Sequence, residues 1–201
     1  MGGARMRARV LPLALLVLGF AVHATAAEPD HSPAGTKGGW VDLVATGFVG
    51  DGLRFNNPFR LATVLGSQAQ SLSRTAAYGD LGLGVLLGDP TFLAHGPVLR
   101  TTFAAEGVAQ SVITPSYLVM HRWTEWAVYG RLGAPVVLTP DVTYGFEGGA
   151  GGVWFARAGL GAVAEIVGDV FYGAGTREVS TPAYPVLSVQ FGVWLSWEAL
   201  P

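Results

Sequence analysis

From Trp40 onward, apolar residues return at every second position, and no long apolar run of helical type interrupts them. In Trp40–Val49, Val41, Leu43, Ala45 and Val49 share one face, while Asp42, Val44, Thr46 and Phe48 share the other. In Ala76–Leu87, Leu81, Leu83, Val85 and Leu87 stand against Tyr78, Asp80, Gly82 and Gly84. Val98–Val108 sets Arg100, Thr102, Ala104 and Glu106 against Leu99, Thr101, Phe103 and Ala105. Tyr117–Trp123 carries Arg122, and Trp126–Leu138 opposes Tyr129, Arg131 and Gly133 to Val128, Leu132 and Val136. Val142–Phe155 carries Glu147 among glycines. Ala158–Tyr172 puts Glu165 and Asp169 with Gly159 and Gly161, opposite Leu160, Ala162, Ala164, Ile166 and Val170. Val186–Trp197 sets Leu187, Val189, Phe191, Val193, Leu195 and Trp197 against Ser188, Gln190, Gly192, Trp194 and Ser196. These segments predict eight strands.

The two faces decide the fold class. One is apolar throughout. The other is narrow, rich in small residues, and carries isolated charges of both signs. A soluble antiparallel barrel hides its apolar face and wets its polar one. Here lone charges among glycines suit a tight lumen, and the apolar face is left for lipid. Hydrocarbon admits only helices and closed barrels, because every backbone group must be paired. Tilted strands of 9–11 residues are long enough to cross. The expectation is an all-β protein, a closed antiparallel transmembrane barrel of up-and-down topology. Its lumen is expected to hold a structural network of Asp80, Arg100, Glu106, Arg122, Arg131, Glu147, Glu165 and Asp169.

An even strand count puts both ends on one side. Thr124-Glu125, Ala156-Arg157 and Gly88–His95 then form one set of connections. Gly50–Arg74, Ala109–Ser116, Thr139–Asp141 and Gly173–Tyr184 form the longer, external set. Pro58–Gly66 is itself strand-like, and counting it opens a ten-strand alternative. Asn56-Asn57-Pro58 and Gly66-Ser67-Gln68 bracket it with breakers, so it is assigned to the long loop.

The first 27 residues follow a different pattern. Arg5, Arg7 and Arg9 precede the apolar run Val10–Val22, and small residues follow at Ala24–Ala27. This is the layout of a signal peptide cleaved after Ala26 or Ala27. Thirteen apolar residues span about 20 Å as a helix, too little for a membrane anchor. Residues 28–39 form a polar leader, and the barrel occupies 40–201.

Composition narrows the function classes. Charged residues make up 13% of the 201, hydrophobic residues 50%, and 29 are glycine. Without the three N-terminal arginines, 9 of the 12 basic residues face 14 acidic ones, a net charge of −5. Such a body has no electrostatic case for nucleic acid. Cysteine is absent, which excludes disulfides, thiolate nucleophiles and thiolate metal sites.

The chain ends on Val189–Pro201, an apolar strand where termini are usually polar. Gln190, Gly192, Leu195 and Trp197 stand where bacterial outer-membrane barrels carry their C-terminal assembly signal. The sequence therefore resembles the small OmpA/OmpX-type outer-membrane barrels. It departs from them in adding Glu198–Pro201 after the aromatic. The resemblance implies recognition by the barrel-assembly machinery, surroundings of outer-membrane lipid and lipopolysaccharide, and a monomer.

Some barrels of this type modify lipid A as hydrolases or acyltransferases. Support for such chemistry is missing. His23 and His31 precede the barrel, His95 falls in a predicted turn, and His121 alternates with the inward Arg122, which aims it at lipid beside Trp123 and Trp126. No serine shares a strand face with a plausible base. No metal motif occurs, and no cofactor is expected. Gly145–Gly152 superficially resembles a phosphate loop but lacks its Lys-Ser/Thr; a glycine-thinned strand beside a bulky neighbour is the simpler reading. The expected function is structural or surface-interacting, through the external loops. A small channel is the alternative.

Overall fold

A computed structural model describes residues 40–55, 72–89, 92–107, 109–139, 142–172 and 183–200. The expected signal peptide and leader, and the Pro58–Gly66 segment, lie outside these residues. Ten strand segments are present: β1 (Val41–Phe55), β2 (Leu72–Arg74), β3 (Tyr78–Leu87), β4 (Ala94–Ala104), β5 (Ser111–Arg122), β6 (Trp126–Gly133), β7 (Val136–Thr139), β8 (Thr143–Arg157), β9 (Leu160–Tyr172) and β10 (Ala183–Leu200).

They resolve into eight staves. β7 continues β6 past Ala134-Pro135, since both pair with β5 on one side and β8 on the other. β2 pairs with the far end of β1 and leads into β3 through Thr75–Ala77. Each stave runs antiparallel to its neighbours, and β10 closes onto β1 from Val41↔Leu200 to Arg54↔Val186. Among the described residues, closure gives each stave a paired neighbour on both sides, as hydrocarbon requires. The expected all-β, eight-stave, up-and-down barrel is the observed fold.

Several boundaries move. β5 begins at Ser111, six residues before the predicted start, so the predicted loop Ala109–Ser116 shrinks to 105–110. Pro115 lies within β5. Its carbonyl accepts from Ala134 N at 3.0 Å, so its missing N–H faces the interruption between β6 and β7, where the ladder demands no donor. β1 runs to Phe55 through Gly50-Asp51-Gly52, which had been assigned to the loop. These glycines are close-approach sites: a Cβ on Gly50 would strike the Tyr78 ring, and one on Gly52 would strike Leu187 and Ser188. The β8–β9 turn is Ala158-Gly159 rather than Ala156-Arg157, with Gly159 supplying φ +74°. Glu198–Leu200 continue β10, opposite Val41 and Asp42.

The wall separates two environments. Leu43, Val49, Leu81, Leu83, Leu99, Leu132, Phe146, Ile166 and Phe191 are exposed on the outside. The inside has two halves. Near the short turns, Val44, Phe48, Leu86, Val98, Leu118, Met120, Val153, Phe155, Val163 and Trp194 form one buried apolar cluster. Above it lies a layer of charge, and above that an open cavity.

Candidate functional site

The charged layer is built around Glu165. β9 aims it inward, directly opposite Gln190 of β10 and Gly151 of β8. It accepts hydrogen bonds from Arg131 Nε at 2.5 Å, Gln190 Nε2 at 2.8 Å, Tyr129 Oη at 3.0 Å and Arg100 Nη1 at 3.5 Å. Arg100 from β4 also donates to Asp80 of β3, with Nη2 at 2.7 Å and Nε at 2.9 Å. The other Asp80 oxygen takes the Thr102 hydroxyl at 2.6 Å. Arg131 donates through Nη1 to Glu147 of β8. Buried charges persist when paired and hydrogen-bonded in this manner.

Glycine makes the crossing possible. Arg131 on β6 reaches Glu165 on β9 over the intervening β8. A Cβ at Gly149 would collide with Glu165 Oε1 and press on Arg131, and one at Gly151 would enter the Tyr129 ring. The glycine run of β8 is thus a slot for its neighbours' side chains. Gly149→Val should displace the Arg131–Glu165 pair and lower the urea midpoint of folding. Gly148→Val, where the new Cβ meets only Leu132 at 3.7 Å, should change that midpoint little. Parallel urea titrations in detergent test the difference.

Two residues expected in this layer lie elsewhere. Glu106 falls past the end of β4, its side chain 56% exposed, where it accepts from Ala77 N at 3.1 Å and lies 3.8 Å from Arg74. Arg74 in turn pairs with Asp51, which also takes the Thr75 hydroxyl at 3.3 Å. This rim cluster pins the bend between β2 and β3. Arg122 points inward as expected, but at the opposite end of the barrel. Its guanidinium covers the Phe155 ring at 4.0 Å and feels the Asp42 charge. Alternation fixed the face of Arg122; Glu106 lies past the end of β4, where alternation no longer applies.

Asp169 belongs to the layer without a basic partner. It stands opposite Glu147 in the β8–β9 register and hydrogen-bonds to it, while its Oδ1 has no partner.

The residues of the resembled assembly signal have places in the folded wall. Gln190 is buried on Glu165. A Cβ on Gly192 would collide with the Gly47 carbonyl across the closing seam. Leu195 faces outward, and Trp197 is half-exposed on the outer wall.

The two described histidines lie on the outer wall. His95 Nδ1 is 2.6 Å from Tyr117 Oη. His121 Nδ1 meets the Phe92 carbonyl at 2.5 Å, and its ring stands edge-on to Trp123 at 4.4 Å. Neither meets a serine in these contacts. Among the described residues, no group of three or more His, Asp or Glu side chains is placed to hold a metal.

The open half of the lumen is a cavity of about 400 Å³. The charged layer is its floor, and Arg54, Tyr78, Phe171, Tyr184 and Ser188 form part of its wall. Arg54 lies over the Tyr184 ring at 3.9 Å, and Tyr184 stacks on Phe171 at 5.4 Å.

No protein-family profile matches the chain, and no curated protein does. Among solved structures, the chain is similar to the N-terminal β-barrel domain of Pseudomonas aeruginosa OprF, with 12% identity, a TM-score of 0.48, and 76% of this chain covering 97% of that one. It is similar to Neisserial surface protein A at 6% identity and a TM-score of 0.47, with 77% and 96% covered. It is also similar to Ail, the attachment invasion locus protein of Yersinia pestis, at 10% identity and a TM-score of 0.47, with 79% and 99% covered. The resemblance is to small outer-membrane β-barrels.

Proposed function

We propose that the chain is a non-enzymatic bacterial outer-membrane barrel. It is exported with a cleaved signal peptide, assembled by the barrel-assembly machinery, and acts as a monomer at the cell surface through the loop end. The carrying observation is the outward apolar wall. A continuous band of Leu, Val, Ile and Phe, closed on itself and free of charge, has no partner inside the molecule. Exposed apolar surface of that extent marks lipid or protein contact, and a closed barrel is the strand form that can enter a bilayer. Trp123, Trp126 and Trp154 sit near the short-turn end, where interfacial aromatics belong.

The surface role is favoured over a channel by the filled half of the lumen. Trp194 is 1% exposed and Leu86 1% within the apolar cluster, and eight staves leave an interior just wide enough for side chains. The protein is expected in the outer-membrane fraction, with heat-modifiable migration in detergent gels and a mature N-terminus at Ala27 or Glu28. It is expected to give no stable conductance in planar bilayers. Recovery from the soluble fraction, or an N-terminus at Met1, overturns the export reading, and steady unitary currents overturn the closed lumen.

The lipid face has its own test. Leu83 is 69% exposed and pairs with Ala45 and Leu99 in the middle of their strands. Leu83→Arg is expected to cost about 2–4 kcal/mol in bilayer folding titrations if this level is the midplane.

A further inference from the structure

The cavity in the open half of the lumen is lined by four guanidiniums, Arg54, Arg74, Arg100 and Arg131, against three carboxyls, Asp80, Glu147 and Asp169. Three of the four guanidiniums are matched. Arg74 pairs with Asp51, Arg100 with Asp80, and Arg131 with Glu147. Arg54 makes no ion pair among the described residues. Asp169 stands at its level but two strands away, with Val186 between them, about 10 Å by strand spacing. Asp169 hydrogen-bonds to Glu147 instead. The excess charge of the lining and the missing partner therefore fall on the same residue.

Arg54 is also held in place. Its guanidinium lies over the Tyr184 ring at 3.9 Å. Tyr184 is itself 6% exposed and stacks on Phe171 at 5.4 Å. Such a stack fixes the plane of a guanidinium and leaves its edge free. Nε is enclosed without a partner. The side chain as a whole is half-buried, so the edge that opens on the cavity is the Nη1–Nη2 pair. Two nitrogens of one guanidinium edge match the two oxygens of a planar carboxylate.

We propose that this vestibule binds a small organic monocarboxylate with a compact apolar body. The carboxylate accepts from Arg54 Nη1 and Nη2. Phe171 and Val186, on the neighbouring staves, supply apolar wall for the body. One unmatched guanidinium neutralises one negative charge. A dianion would bring its second charge toward Asp80, Glu147 and Asp169, and an ammonium compound would leave Arg54 unpaired. The cavity, about 400 Å³, lies at the small end of ligand pockets. Because the guanidinium is already fixed on Tyr184, binding costs little further ordering of that side chain.

The test uses the folded protein in maltoside micelles, titrated calorimetrically with sodium benzoate against a micelle blank. Saturable binding is expected. It should be at least tenfold weaker for benzyl alcohol, which has the body without the charge, and for inorganic phosphate at equal ionic strength. Arg54→Gln should weaken benzoate binding at least tenfold. Arg157→Gln, exposed at the short-turn end, should leave it unchanged. Heat-modifiable migration confirms folding of each variant separately from binding. Lack of saturable benzoate binding by the folded wild-type protein overturns the proposal, whatever the variants do. Equal binding by folded Arg54→Gln, or equal binding of benzyl alcohol or phosphate, overturns it as well. The outer-membrane reading is judged by fractionation, so the two fail independently.

Discussion

Glu165→Leu is expected to destabilise the barrel by about 3–5 kcal/mol, the cost of breaking a buried charge pair by removing one partner. Glu165 joins β4, β6, β9 and β10 through Arg100, Tyr129, Arg131 and Gln190. Removing it strands parts of two guanidiniums in a layer with little water. Arg100 keeps Asp80, and Arg131 keeps Glu147, so each retains one carboxyl. The loss is therefore a fraction of the whole network's energy. Glu165→Gln keeps the volume and one acceptor, and should fall between wild type and leucine. Asp51→Leu breaks an ion pair whose side chains are 65% and 39% exposed, and should cost far less, because solvent screens the pair. Urea titrations of all three in one detergent give the ranking. Equal midpoints for Glu165→Leu and Asp51→Leu contradict the hub.

Period-two alternation assigned the inward face of every stave correctly, because a one-residue slip would have carried a whole apolar set into the lumen. The inward Arg131, Glu147, Glu165 and Asp169 were legible for that reason. Height along the axis was not. Arg122 has the expected parity yet sits by the short turns, and Glu106 lies beyond the end of β4. Alternation contains no term for the stagger between strands, which sets who meets whom across the lumen. Val44, Phe48 and Trp194 were recognised as inward, but the joining of their side chains with Leu118 and Met120 into an apolar plug became visible only once the register was known. The hub role of Glu165 was equally hidden. Its partners lie 25 to 65 residues away in sequence.

The last strand is expected to separate two kinds of failure. Gly192→Ala should prevent folding both in cells and from urea into micelles. A Cβ there collides with the Gly47 carbonyl at the β1–β10 seam, and that seam alone converts an open sheet into a closed barrel. Backbone cannot yield as a flexible side-chain tip can, and an unclosed edge leaves unpaired groups that lipid will not solvate. Trp197→Ala is different. Trp197 pairs with Leu43 on the outer wall and is 45% exposed, so its loss removes interfacial contact and leaves the seam intact. The purified variant should fold into micelles with a normal gel shift. In cells, if Trp197 belongs to the assembly signal, the processed chain should accumulate protease-sensitive in the periplasm. Removing residues 199–201 should do less harm than Gly192→Ala, yet more than a change in an unpaired tail, because Leu200 pairs with Val41 at the first position of the seam. Proteolysis of cell fractions, run beside micelle refolding of the same variants, distinguishes the outcomes. Normal folding of Gly192→Ala contradicts the close approach at the seam. Normal cellular assembly of Trp197→Ala removes that residue from the signal.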